Sequence, residues 1–156
     1  MKLLIVAVGE RMPSWVAEGF DDYARRIPRE CALSLIEIAP SKHGKGGATQ
    51  RAIEDEGERQ LASIPARCRV VTLDERDKLY GTAELAQRMA RWQQDGGDVA
   101  LLIGGADGLA PVCKQRADET WSLSPLTLPH ALVRVIVAEQ LYRAWTVLRG
   151  HPYHRG

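Results

Sequence analysis

A chain of 156 residues with 45% apolar and 26% charged side chains can bury one core but is too short for two ordinary domains, so a single domain over residues 1–156 is expected. Its formal net charge of +1 lacks the strong basic excess of a dedicated nucleic-acid binder. No stretch reaches the roughly 18 apolar residues of a membrane span, and the apolar start has neither the length nor the cleavage pattern of a signal peptide, which points to a cytoplasmic protein with no membrane partner.

Leu3 to Val8 (LLIVAV), closed by Gly9, reads as a strand buried on both faces. Pro13 suits the first turn of a helix over about 13–27, whose Val16, Phe20, Tyr23, Ala24 and Ile27 recur at helical spacing before Pro28 ends it. Leu33 to Ile38 alternates and forms a second strand, and Ser41 to Gly47 (SKHGKGG) reads as a flexible basic loop. The charged stretch Ala48 to Ile64 reads as a solvated surface helix. Arg69 to Asp74 is a third strand, and Thr82 is expected to cap a helix with Leu85, Met89 and Trp92 on one face, ended by Gly96 and Gly97. Val99 to Ile103 is a fourth strand, Gly104 to Leu109 a glycine turn, Pro111 to Thr120 a helix, Trp121 to Ser124 a short fifth strand and His130 to Arg149 the last helix.

Alternating strands and helices predict an α/β fold: a parallel sheet with helices on both faces, whose ligands bind beyond the carboxyl ends of the strands. That rule points to Leu73, to Gly104 and Gly105, and to the segment after Trp121. The glycines 104, 105 and 108 fit a structural turn as well as the close approach of a ligand and do not match a dinucleotide fingerprint, nor does Gly44 to Thr49 match a P-loop. Leu123 to His130 (LSPLTLPH) is an unusually apolar, proline-bearing connection. It is either a structural loop or a place where irregular backbone holds the edge of a purine ring.

Cys31, Cys68 and Cys113 are odd in number and widely spaced, so they read as reduced thiols, and no metal site is expected. Basic residues concentrate at the C-terminal end, where Arg134, Arg143, Arg149 and Arg155 face a single acid, Glu139. Glu139 lies in an apolar helix and is expected to pair with Arg143 at i+4. A last helix without a clear polar face suggests a homodimer. The tail His151-Pro152-Tyr153-His154-Arg155 is dense in groups that stack on bases and handle protons, unlike an ordinary disordered end.

With these segments placed, the starting stretch KLLIVAVGERMPSWV, the strand VVTLD, the run LLIGGADGL, the segment WSLSPLTLPHALVRVIVAEQLYRAW and the ending HPYHR resemble, from end to end, the ribosomal RNA large subunit methyltransferase H family. These are 23S rRNA pseudouridine N3-methyltransferases of the SPOUT superfamily. The resemblance implies a C-terminal trefoil knot over about residues 70–156, a rare exception to unknotted topology. It implies S-adenosyl-L-methionine as cofactor, held by Leu73, Gly104, Leu123, Ser124, Pro125, Leu126, Thr127 and Leu128. Pro125 has no backbone donor, so only its carbonyl can serve. It further implies a homodimer in which the tail of one subunit completes the site of the other, acting on 23S rRNA within the assembled ribosome.

The expected chemistry is ionisation and methylation of an imide nitrogen. Arg155 and Arg143 are assigned to stabilising charge on the base, His154 to taking or relaying the proton with His130 as a second candidate, and Tyr153 to stacking. A noncatalytic ribosome-binding module, or an α/β enzyme holding another nucleotide in the same loop, are the competing readings.

Overall fold

The computed structural model describes residues 1–41 and 48–155. The basic loop expected at Ser41–Gly47 falls, from position 42 on, outside the described residues. The described chain runs β1 (Leu3–Val8), α1 (Ser14–Arg26), β2 (Leu33–Ile38), α2 (Ala48–Ala62), β3 (Arg69–Leu73), α3 (Thr82–Asp95), β4 (Val99–Ile103), α4 (Pro111–Arg116), β5 (Glu119–Trp121) and α5 (His130–Arg149). Short 3-10 turns lie at Arg29–Cys31 and Pro152–Arg155.

The five strands form one parallel sheet in the order β2-β1-β4-β3-β5. β4 is the central strand with β1 beside it, and both are buried along their whole length, which is why their sequences carry no alternation. Residues of opposite parity in the strands face two separate cores. On one face Leu3, Ile5, Val71, Leu101 and Ile103 pack with Phe20 of α1, with Leu85, Met89 and Trp92 of α3, and with Val137, Ala138 and Leu141 of α5. On the other Leu4, Val6, Val70 and Leu102 pack beneath α2 and α4, with Cys113 at the centre.

α5 lies between α1 and α3, so much of its apolar surface is consumed inside the chain. Gly19 lets α1 approach closely, since a Cβ there would stand 3.2 Å from Val135. Arg134 is 1% exposed, and it ties α5 to the sheet by donating to Glu37 at 2.7 Å and to the Gly9 carbonyl at 2.9 Å. What reads in sequence as one more cationic residue of a basic end is therefore an internal clamp.

Three further readings are corrected. α2 is no merely solvated helix: Gln60, 1% exposed, donates to the Val6 and Ile103 carbonyls at 3.0 and 3.1 Å, and Gly57 admits Ala110 and Cys113. Thr82 does not cap α3, whose N-cap is Gly81; its hydroxyl instead donates to Gln140 of α5 at 2.7 Å. α4 ends at Arg116, and β5 occupies Glu119–Trp121 instead of Trp121–Ser124. The shift follows from Glu119, a polar residue that reads as loop but accepts from Trp92 at 2.8 Å and from Arg88 at 2.6 Å, and also bonds Arg69. A carboxylate with three donors is held in place as firmly as an apolar strand residue.

Each cysteine is buried. Burial raises the Cys31 and Cys113 thiols to about 11 and raises Cys68 as well, which keeps them protonated and unreactive at neutral pH. Among the described residues no helix is long and apolar enough to cross a membrane.

Candidate cofactor cleft and C-terminal tail

The carboxyl ends of β3, β4 and β5 open into a cleft of about 420 Å³, within the roughly 300–1,000 Å³ usual for small-molecule sites. Leu73 and Ile103, the last residues of their strands, form its base. The glycine turn forms one wall, and Leu123, Ser124, Leu126, Thr127 and Leu128 form the other. Of the eight residues expected to hold a cofactor, Pro125 alone does not line the cleft.

The glycine turn is shaped from within. A Cβ on Gly104 would lie 2.4 Å from the Gly108 backbone and 2.6 Å from the Leu109 nitrogen, so glycine is required there by the turn's own closure. Gly108 adopts a φ of +95° and donates its N–H to the Gly105 carbonyl at 3.0 Å. The opposite wall is irregular but stitched. Ser122 donates its N–H to Lys78 O at 2.9 Å, its hydroxyl stands 3.1 Å from both the Glu75 and Ser124 carbonyls, and Leu126 N–H donates to the Ser124 hydroxyl at 2.9 Å. Leu126 nonetheless leaves its side chain out, at 70% exposed.

Sequence reasoning missed Asp74, which stands one residue beyond Leu73 on the cleft wall. Burial would raise its carboxyl, but Lys114 and the backbone and guanidinium of Arg76 all donate to it, and together they bring it down to about 2. Asp74 is therefore ionised at every physiological pH and joins α4 to the loop after β3. The available signal was its position at a strand's carboxyl end, where the ligand rule for parallel sheets applies. His130 also lines the cleft, as the first residue of α5.

The other expected residues are elsewhere. At Gly150 (φ +67°) the chain turns back along α5, with the His151 N–H donating to Thr146 O at 2.9 Å. The Tyr153 ring packs on Tyr142 with centroids 4.6 Å apart, and the Arg143 guanidinium stands 4.9 Å from its centre. Its hydroxyl donates to Glu139 at 2.9 Å, while Arg143 donates to the same carboxylate oxygen at 2.8 Å. Burial and the Glu139 carboxylate push the Tyr153 phenol well above its ordinary value, so it is a donor and not a base. His154 is half-buried with its Nδ1 lacking a partner, and Arg155 is exposed. With a helical rise of about 1.5 Å per residue, Glu139 to Trp145 lie about 14–22 Å along α5 from His130. Among the described residues, none from Gly150 onward lines the cleft.

A family model described as "Predicted SPOUT methyltransferase" matches residues 1–154. The chain belongs to the SPOUT methyltransferase family. Relatives of this SPOUT chain include the Methylococcus capsulatus protein named ribosomal RNA large subunit methyltransferase H, 60% identical over 155 residues that cover 99% of this chain and 100% of that one. The protein of the same name from Thioalkalivibrio sulfidiphilus is 55% identical, covering 99% of each chain. Among solved structures, a probable methylase family protein from Haemophilus influenzae aligns with a TM-score of 0.54 at 13% identity, over 97% of this chain and 69% of that one. TrmJ from Z. mobilis aligns with a TM-score of 0.54 at 20% identity, over 92% of this chain and 70% of that one. At those identities the two structures speak for the SPOUT fold alone.

Proposed function

We propose that this SPOUT methyltransferase transfers a methyl group from S-adenosylmethionine to N3 of a pseudouridine in 23S rRNA of the assembled ribosome, in the cytoplasm. The observation that carries the reading is the cleft itself, because Leu73, Gly104 and five of the six residues from Leu123 to Leu128 converge on it from three separate strand ends. Its donor set fits the cofactor: leucine side chains to cover an adenine face, and irregular backbone beside them to meet the ring edge. When bound, the cofactor supplies a methyl group already activated by its sulfonium, so the protein's task is to align the acceptor and remove its proton.

N3 of pseudouridine is protonated at neutral pH, and each pK unit by which the site acidifies it contributes about 1.4 kcal/mol. Arg155, exposed on the tail, is assigned to the charge that develops on the base carbonyls, and His154 to the proton. His130 stands at the cleft as the second proton acceptor. Tyr153 and Arg143, both engaged by Glu139, belong to the surface that carries these groups.

In this arrangement the tail docks at Glu139, about 14 Å along α5 from His130, and none of its described residues lines the chain's own cleft. That supports a homodimer of single-domain subunits, each tail serving the other's cleft. Exposed Leu126 and Leu79, at 70% and 52%, are apolar surfaces such a partner or the cofactor would cover. The reading extends to a trefoil knot over about residues 70–156, which would require the adjacency seen where Ser122 bonds the segment Glu75–Leu79 before the chain runs on into α5.

Calorimetric titration should show binding of both S-adenosylmethionine and its demethylated product, and 23S rRNA from cells lacking the gene should lose one methyl group on a pseudouridine by mass spectrometry. Failure to bind either compound would overturn the cofactor reading, and unchanged rRNA would overturn the substrate.

A further inference from the structure

One carboxylate on α5, Glu139, receives the phenol of the tail. Glu139 accepts from Tyr153 Oη at 2.9 Å, from Arg143 Nε at 2.8 Å and from Gln140 Nε2 at 2.8 Å. Gln140 in turn accepts from the Thr82 hydroxyl at 2.7 Å, which anchors the cluster to the start of α3. Glu139 has 16% of its side chain exposed, so these bonds are shielded from water, and hydrogen bonds to a charged acceptor are the strong ones. Below Tyr153 the ring rests on Tyr142, and beyond it come His154 and Arg155, the two groups assigned to the acceptor base.

We propose that Glu139 is a positioning residue for methyl transfer: it latches the Tyr153 phenol and so fixes the direction in which His154 and Arg155 leave the helix. The pairing with Arg143 alone would satisfy a carboxylate within the helix. The phenol bond reaches 14 residues along the chain and fastens the segment that carries His154 and Arg155. Arg143 contributes twice, neutralising Glu139 and covering the Tyr153 ring. The inference rests on the tail serving the acceptor site, whereas the latch itself can be measured without turnover.

The test uses the full-length protein, S-adenosylmethionine, and ribosomes from cells lacking the gene. The His151 and Tyr153 amides donate to Thr146 O and to His151 Nδ1, and their hydrogen exchange reports opening of the docked tail. Glu139→Ala and Tyr153→Phe should each speed that exchange about tenfold, the worth of one charge-assisted bond. Both should raise KM for ribosomes in proportion to the docked fraction that is lost, up to that factor where the undocked tail becomes the major form, with kcat and cofactor affinity changed less than about twofold, because a bound ribosome can re-form the docked tail. The double variant should be no worse than the poorer single one, since both remove the same bond. Tyr153→Phe keeps the ring on Tyr142 and retains a test even if Glu139→Ala fails to fold. Unchanged exchange in Tyr153→Phe, or effects of the two substitutions that add in full, overturns the latch. If exchange shows the undocked tail to be the major form in a variant while its KM stays at the wild-type value, the latch stands but its positioning role is overturned. If wild-type protein fails to methylate ribosomes, the functional reading falls, while the exchange result still decides the latch.

Discussion

The cofactor cleft and the C-terminal tail differ in how they are built. The cleft is made by the sheet: Leu73, Ile103 and Trp121 end three adjacent parallel strands, and the loops that follow have no choice but to meet there. The tail is made by side chains on one helix, with Glu139, Tyr142 and Arg143 receiving Tyr153. The proposed function places cofactor binding at the cleft and most of the acceptor chemistry on the tail, and each should be separable from the other by substitution.

The largest separation is expected from removing Tyr153 to Gly156. Methyl transfer to ribosomes should fall by more than about a hundredfold, the low end of what proton-handling groups contribute, while calorimetric affinity for S-adenosylmethionine stays near wild type. Wild-type turnover in the truncated protein would show that the cleft works alone.

Gly104→Val should break the cleft and spare the tail. Its branches would enter the Gly108–Leu109 backbone, so the turn must open, at a cost of about 3 kcal/mol and roughly a hundredfold in cofactor affinity. Retained affinity with lowered thermal stability would separate the turn's own closure from its contact with the cofactor.

Trp145→Glu addresses whether the two regions meet across subunits. Trp145 lies between Tyr142 and His151, at centroid distances of 6.1 and 6.4 Å, and its indole N–H is buried without a partner. A carboxylate there should weaken association by several kcal/mol and yield monomer in sedimentation with the cofactor site intact. A wild-type protein that is already monomeric at micromolar concentration would end the shared-site proposal.

The smallest effect concerns Lys114→Met. Asp74 is held down at about 2, below the ordinary carboxylate value of about 3.9, so its ionised form contributes stability that is fully present above about pH 4 and lost as pH falls toward 2. Without Lys114 that contribution, roughly 1 kcal/mol after allowance for solvent screening, should shrink, and denaturant unfolding between pH 5 and 2 should show a flatter acid limb. An unchanged limb would mean that Arg76 alone holds the carboxylate.

The contrast between the regions also explains what was legible in advance. β1, β4 and α5 can be read from composition because uninterrupted apolar runs bounded by glycine or proline allow few arrangements. The cleft followed from the same reading, since strand ends in a parallel sheet lie at one edge. Asp74, Gln60 and Arg134 escaped it because a polar residue's burial depends on partners far off in sequence. Arg134 finds its partners about 100 or more positions away, at Glu37 and Gly9, and Gln60 finds the Ile103 carbonyl. β5 was misplaced for the same reason, its Glu119 being held by Arg88 and Trp92.

Hydrophobic periodicity and turn residues thus determined the α/β architecture, the two-faced sheet and the neighbourhood of the cleft, because local propensity and the need to bury apolar surface act along the chain. Only tertiary structure decided that Gly104 serves its own turn, that Thr82 bonds α5 instead of capping α3, and that the tail docks on Glu139 away from its own cleft. Hydrogen bonds and charge pairs are short-ranged and directional, so their partners are chosen by which surfaces the packed core brings together.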